Sequence, residues 1–380
     1  MILFTFYHIR GSLDSLVDGP PMYYNKGINR KGRTAMRSAN RRLIFFAGIV
    51  VLMALSLMFA VPSGAVTLGA AARYQEDTEL DLGSDALPLT EGLNVRYTAS
   101  AGMMDAIFPV NNISYLPLDL TEPGRVPLEA NFTETSYQDE TIWVEIEETR
   151  AYDSAFHVAY VKIATPTQLR TAIAGKFGSG RTLKPTVFSQ SMNAVVLING
   201  DYYTKTDSGN GYIVRQGEKH RWKASNRTDL LLIDENSDFH IILHGDSKSD
   251  EEEAVDAFLE EHELINAFYF GPALVVDGEL QEIPDEYLGD PHEDNPRAAI
   301  GQLAPLTYVL VSVDGRTDAS AGITVEELAA FMKDLGCEQA YAMDGGNSSA
   351  LVFHNQLVSV KDVNERDVSD VIYFATAIDN

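Results

Sequence analysis

Cysteine is almost missing from this chain. Cys337 is the only one in 380 residues, which excludes an intrachain disulfide and a zinc site built from thiolates. For an exported protein, that scarcity fits a bacterial cell-surface enzyme better than a disulfide-stapled animal domain. Cys337 itself follows a helix stop and reads as a small core residue. Histidine is sparse too: eight residues, at 8, 157, 220, 240, 244, 262, 292 and 354. Only His240 and His244 lie close together, flanking Ile241-Ile242-Leu243 in a strand-like run, and they read as structural. His262 reads as a packed helix residue. Metal-dependent phosphodiesterases that cut the P–O bond need His/Asp clusters at ligand spacing, so this pattern speaks against them. Binding of a divalent cation by carboxylates alone stays open, and no other cofactor is expected.

Net positive charge is confined to one end. Residues 1–42 hold eight Lys or Arg and two acids, a net of +6, which leaves −32 of the total −26 on the remainder. A body this acidic repels phosphate backbones, so nucleic acid is not an expected partner. Any phosphate it binds needs a local cluster of donors.

Leu43–Val61 is nineteen residues without a charge, close to the ~20 that span a bilayer as a helix. Arg30, Lys31, Arg33, Arg37, Arg41 and Arg42 precede it, so the positive-inside rule puts the N-terminus in the cytoplasm and the body outside. The expected organisation is a basic cytoplasmic segment (1–42), a transmembrane helix or signal anchor (43–61), an extracellular stalk (62–132) and one catalytic domain (133–380). Pro62-Ser63-Gly64-Ala65 also suits cleavage, which would secrete the domain, and Met36 opens a conventional signal layout. Oligomeric state is open.

From Thr133 onward the pattern is regular. Ile142–Ile146, Phe156–Ile163, Ala194–Ile198 and Thr307–Val313 read as strands, Leu230–Ile233 with Phe239–Leu243 as a hairpin, and Ala350–Phe353 with Gln356–Val360 as another. Thr165-Pro166-Thr167-Gln168 predicts a short helix through Ala174. Ser249 with Glu252 and Thr324 with Glu327 predict capping boxes for two more. The expected class is α+β: a mixed central β-sheet with packed helices.

Four polar clusters follow or flank the strands: Asn199-Gly200-Asp201-Tyr202, Asn295-Pro296-Arg297, Asp314-Gly315-Arg316 and Asp344-Gly345-Gly346-Asn347-Ser348-Ser349. Each alone is an ordinary turn sequence. Together they assemble a particular inventory. Gly345 and Gly346 let backbone amides approach an anion, Ser348 and Ser349 add hydroxyls, and Arg297 and Arg316 offer planar forks for phosphate or carboxylate. Asp201, Asp314 and Asp344 supply carboxylates for acid, base or nucleophile duty. The competing reading of the arginines is surface ion pairing, worth little.

The series AVVLINGDYY, NPRAAIGQ, VSVDGRTDASAGITVEELAAFMKDLGCEQAYAMDGGNSSALVF and NERDVSDVIYF resembles the phosphodiester glycosidase family over roughly Tyr137 to Ala377. The resemblance implies a bacterial, membrane-anchored hydrolase that cleaves the bond between an anomeric carbon and a phosphate oxygen in cell-surface glycans. Matched by motif position, Asn199, Gly200, Arg297, Arg316, Gly345, Gly346, Asn347, Ser348, Ser349 and the late Arg366 are implied to bind substrate. Asp344 and Asp314 are the candidates to face the anomeric carbon, with Asp201 as a third carboxylate. Three positions depart from the family pattern: Asp201 and Asn347 replace glycines, and Ala298 replaces a threonine. Wall teichoic acid, phosphodiester-decorated exopolysaccharide and lipid-linked sugar phosphates all suit such a site. A catalytically inactive glycan-binding relative is the main alternative, a metal-dependent phosphodiesterase a third.

Overall fold

The strongest strand signals in the sequence mark the centre of the structure. The computed structural model describes residues 118–202, 209–285, 290–359 and 365–378. The apolar segment 43–61 lies outside them, and no helix among the described residues is long and apolar enough to cross a membrane. β3 (Ser154–Ile163) is buried along its whole length, and so is β14 (Thr307–Val313). Strands covered on both faces lose the hydrophobic/polar alternation and read as continuous apolar runs, as TYVLVSV does.

These two strands sit inside an eight-stranded sheet of order β1-β2-β3-β14-β13-β15-β11-β12. It comprises β1 (Ser136–Gln138), β2 (Ile142–Ala151), β11 (Ala273–Val276), β12 (Glu279–Leu280), β13 (Arg297–Ala304) and β15 (Gln339–Met343) besides β3 and β14. A second sheet has order β7-β6-β10-β8-β9: β6 (Gly211–Arg215), β7 (Glu218–Lys223), β8 (Leu230–Asp234), β9 (Phe239–Ile242) and β10 (Leu264–Phe268). A third has order β17-β16-β5-β18-β4: β4 (Leu169–Ile173), β5 (Val196–Asn199), β16 (Leu351–Phe353), β17 (Gln356–Leu357) and β18 (Asp370–Phe374). One core fills the space between the large sheet and the two smaller ones, joining Val161, Ile300, Leu310 and Tyr341 to Leu231, Phe268, Ile198 and Ile372.

Three helices cover the outer faces among the described residues. α3 (Val325–Asp334) packs Leu328, Phe331 and Met332 on the large sheet, with the Phe331 ring 4.2 Å from that of Phe156. α1 (Pro185–Met192) lies on the third sheet through Phe188, and α2 (Lys248–Glu261) on the second through Val255. The arrangement is therefore helix, sheet, paired sheets, helices.

Several expectations are corrected. Every strand pair among the described residues is antiparallel, and the strands form three sheets rather than one mixed central sheet. Thr165 does form a capping box with Gln168, but the turn ends there. Leu169–Ile173 is strand β4, because pairing with β18 offers these residues buried ladder bonds that a solvent helix could not. The cap of α2 is Ser247 with Asp250, two residues ahead of the predicted Ser249 and Glu252. The Thr324/Glu327 box is present, and Gly336 ends the helix region at φ +83°. His354 and Asn355, both at positive φ, make the predicted hairpin turn between β16 and β17. The described part of the predicted stalk packs on the domain: Arg125 bridges Thr376, and Arg170 donates to the Asp119 carbonyl at 2.8 Å.

Gly301 on β13 tests this packing. A Cβ there would lie 2.5 Å from Cys337 Sγ and 2.8 Å from Met332 Cε. Gly301→Ala should destabilise the domain by about 1–3 kcal/mol through overpacking, read as a lower urea midpoint with unchanged m-value.

Candidate active site

Antiparallel register carries three of the predicted loops to the same end of neighbouring strands in the large sheet. Arg297 pairs with Val313, and Ala298 with Met343, so the start of β13 lies beside the ends of β14 and β15. Two clefts open there. The first, about 330 Å³, is lined by Asp201, Tyr202, Asp344, Ser348 and Arg366 with the cations Lys176 and Arg181. The second, about 340 Å³, is lined by Arg297, Arg316, Asp344, Asn347 and Arg366. Asp344 and Arg366 belong to both, so the clefts meet at this pair of opposite charges.

Asp344 follows β15, in a loop that continues through a 3₁₀ turn (Gly346–Ser348) into β16. Its carboxyl is pushed up to about 6. Burial is the chief cause; bonds from the Ser348 hydroxyl and the Gly345 amide and the attraction of Arg366 oppose it, while the Asp201 charge adds to it. A carboxylate poised near neutrality is suited to accept a proton.

Beneath Asp344 lies a buried ion cluster. Arg215, at the end of β6, bonds Asp370 of β18 (Nε–Oδ2 2.7 Å) and Asp201 (Nη2–Oδ2 3.0 Å). Asp201 also accepts the amides of Tyr269 and Phe270, at 3.2 and 3.0 Å. One guanidinium faces two buried carboxylates, with Asp344 close enough for its charge to be felt. Burial accordingly raises Asp201 and Asp370 above the ordinary range, against the pull of Arg215. Gly200 has no room for a side chain, since a Cβ would sit 2.8 Å from the Asp370 carboxylate.

The remaining predicted residues divide by what they touch. Arg316 sits in the second cleft at φ +62°, a conformation costing about 1–3 kcal/mol for a non-glycine residue. Its guanidinium is held by two amide oxygens, Asn295 Oδ1 (2.6 Å) and Asn347 Oδ1 (3.0 Å). Neutral acceptors fix its position and leave its charge for a ligand. Arg297 lines the same cleft, but Nε donates to the Ile323 carbonyl and Nη2 to those of Asp290 and Glu293, which ties down the cleft rim. Asn199 is a buried cross-link that donates to the Asp344 carbonyl at 2.7 Å and accepts from the Ala350 amide at 2.9 Å.

Two expectations are corrected here. The amides of the Gly345–Ser349 loop do not form an open anion cradle. Gly346 donates to the Pro296 carbonyl, Ser348 to that of Gly345 and Ser349 to that of Gly346. The Ser349 hydroxyl is likewise turned inward, onto the Arg297 carbonyl and Ser312. The tight turn needs these bonds to close. Asp314 lines neither cleft. It follows β14 with its side chain turned under the sheet, bonded to His157 Nε2 of β3 at 2.9 Å. Alternation along the strand puts Asp314 on the inner face, opposite to Val313.

Sequence reasoning missed Arg215, Asp370 and the loop carrying Lys176 and Arg181. The loop had a signal: AGKFGSGRT spaces three glycines among two cations in an otherwise acidic body, and all three adopt positive φ. Asp370 had a weaker one, as an acid directly ahead of the apolar run VIYF. Arg215 at the end of GYIVR had no such mark.

Residues 192–375 match the family model for phosphodiester glycosidase. The chain carries a phosphodiester glycosidase domain. A 108-residue stretch is 34% identical to the SPbeta prophage-derived uncharacterized protein YomE of Bacillus subtilis, covering 28% of this chain and 17% of that protein's length. Among solved structures, the zebrafish N-acetylglucosamine-1-phosphodiester alpha-N-acetylglucosaminidase catalytic domain, auto-inhibited by its pro-peptide, superposes with a TM-score of 0.49 at 17% identity. That superposition covers 67% of this chain and 88% of the zebrafish one. A hypothetical protein from Synechocystis superposes with a TM-score of 0.43 at 16% identity, covering 62% of each chain.

Within this phosphodiester glycosidase domain, two of the three departures from the family pattern have local partners. Asp201 is matched by Arg215 and two amides, and Asn347 positions Arg316. Ala298 is buried on β13, between Met343 and Ser312 of its neighbouring strands.

Removing the guanidinium tests the buried cluster. Arg215→Met should cost about 3–5 kcal/mol, because Asp201 and Asp370 are left buried and unpaired. The loss should shrink on lowering the pH, as both carboxyls then protonate. Urea denaturation at neutral and mildly acidic pH measures both effects.

Proposed function

We propose that the joined clefts hydrolyse the sugar–phosphate bond of a sugar-1-phosphodiester in cell-surface glycans. The observation that carries this reading is Asp344, a carboxyl raised to about 6 at the meeting point of two clefts and beside Arg366. The family domain supports a glycosidase kind of hydrolysis. The basic segment and apolar run of residues 1–61 support export and anchoring at the membrane, with the domain facing outward.

In this reading the sugar occupies the first cleft, where Tyr202, 49% exposed, offers a ring face. The phosphodiester lies in the second, against Arg316 and Arg366. Water attacks the anomeric carbon and Asp344 takes its proton. The C–O bond breaks, and the electron pair leaves with the phosphate monoester. Charge then develops on the departing phosphate oxygen, where the two guanidinium groups stabilise it. Phosphate leaves readily as an anion, so a strong general acid is unnecessary. Asp201 lies at the first cleft but is committed to Arg215 and two amides, which leaves Asp344 as the base. Attack by water in one displacement inverts the anomeric centre.

Substitution of Asp344 by Asn should abolish release of reducing sugar from a panel of sugar-1-phosphodiesters. Folding should not suffer. The folded pKa lies above the ordinary 3.8, so the native state binds a proton more tightly than the unfolded chain, and the ionised group costs stability as pH rises through roughly 4 to 6. At neutral pH the Asn variant should melt no lower than the wild type. Turnover retained by this variant would remove Asp344 from the mechanism.

Activity of the wild type should fall as pH drops through about 6, where Asp344 takes up its proton. Arg366→Gln should lower kcat by about 100-fold, the usual loss on removing one charge-stabilising donor. A pH–rate profile and steady-state kinetics read these outcomes.

A further inference from the structure

Away from the clefts, three side chains turn their donor atoms toward one point. They are Asp234 at the end of β8, His240 in β9 and His262 at the C-terminal cap of α2. His240 Nε2 lies 3.1 Å and His262 Nδ1 3.3 Å from the same oxygen, Asp234 Oδ2, and all three donor atoms lie within 4.8 Å of one another. Ligands around a tetrahedral zinc with bonds of about 2.0–2.1 Å stand roughly 3.3 Å apart. The two measured edges match that spacing.

The surroundings hold these donors in place. Asp234 Oδ1 accepts the amides of Asn236 and Asp238, at 2.8 and 2.9 Å, so the carboxylate presents Oδ2 alone to the imidazoles. Asp234 is itself buried, so packing as well as these bonds holds its carboxylate in place. Phe258 stacks on His262 and meets His240 edge-on, each at 5.1 Å, which restrains both ring planes. Oriented ligands of this kind distinguish a built metal site from a chance cluster. The two imidazoles keep about a third of their surface exposed, which gives an ion a path in and a place for water as fourth ligand.

We propose that Asp234, His240 and His262 bind a first-row divalent cation of the zinc type. Two imidazoles and one carboxylate suit such an ion better than calcium or magnesium, which prefer all-oxygen shells. The site stands apart from the clefts. Leu264 pairs with Asp234 at one end of β10, whereas the Tyr269 and Phe270 amides beyond its other end bond Asp201. Five residues of strand, at about 3.3 Å each, separate the two by roughly 16 Å.

The role is therefore a clamp. The ion joins the end of α2 to the β8–β9 hairpin. That hairpin's turn is in turn fastened to the large sheet, by Tyr308 Oη on the Ser237 carbonyl (2.8 Å) and Gln302 Nε2 on Asp238 Oδ1 (2.7 Å).

The test uses the full chain, stripped with EDTA, dialysed against zinc and passed through a desalting column before metal counting. One zinc per chain should remain, and zinc should raise Tm by several degrees until EDTA is added. The double variant His240→Gln/His262→Gln should lose both effects, while His244→Gln, altered at a neighbouring histidine bonded to Asp229, should keep them. Cobalt in the wild-type chain should show the intense visible absorption of four-coordinate cobalt, a readout that needs no variant to fold. Zinc retention and Tm shift equal in the wild type and a folded double variant would overturn the proposal, as would a cobalt spectrum of the hexa-aqua ion. None of these readouts involves turnover, so the result is independent of the reaction proposed for the clefts.

Discussion

Arg215 is the point on which the candidate site turns. It is a buried cation between two buried carboxylates, one from the segment after β5 and one from the start of β18, and its own strand belongs to a different sheet. Sheet two and sheet three are joined beneath the clefts by this charge. Isolated, each group would be expensive to bury. Together they fix the floor on which Asp344 stands. The same cluster contributes to the raised pKa of Asp344, since the Asp201 carboxylate adds negative potential to a site that burial has already dried. Architecture and chemistry here come from one set of charges.

The acidic character of the chain makes the local arrangement more telling. A body carrying −32 outside its first 42 residues offers little general attraction to a phosphodiester. Around Asp344, however, Lys176, Arg181, Arg316 and Arg366 line the two clefts. Arg316 is fixed by neutral amide oxygens on a strained backbone, and among the described residues no carboxylate pairs with it. This local reversal of sign supports recognition of an anion, and the acidic exterior supports discrimination against polyanions at large.

Much of the framework was legible because the strands carry it in their composition. β3 and β14 declared themselves as apolar runs, and the Thr324 box and Gly336 marked both ends of α3. The convergence of the polar loops was visible as a recurring position after strands. What stayed hidden was direction. Asp314 and Asp344 look alike in sequence, each an acid before glycine at the end of an apolar strand. Only pleat and register decide that one turns inward to His157 while the other faces the clefts. The loop amides of Gly345–Ser349 were equally unreadable, because whether an amide is spent on its own turn depends on closure geometry. Arg215 was hidden for a further reason: its partners lie 14 and 155 residues away, and nothing local distinguishes it from a surface arginine.

The central claim is that water attacks the sugar carbon rather than phosphorus. Hydrolysis of a sugar-1-phosphodiester in oxygen-18 water, followed by mass spectrometry of both products, tests it directly. The account predicts the label in the new anomeric hydroxyl of the sugar and none in the phosphate monoester. Label in the phosphate would contradict it, since the bond broken would then be P–O and Asp344 would be serving a different reaction.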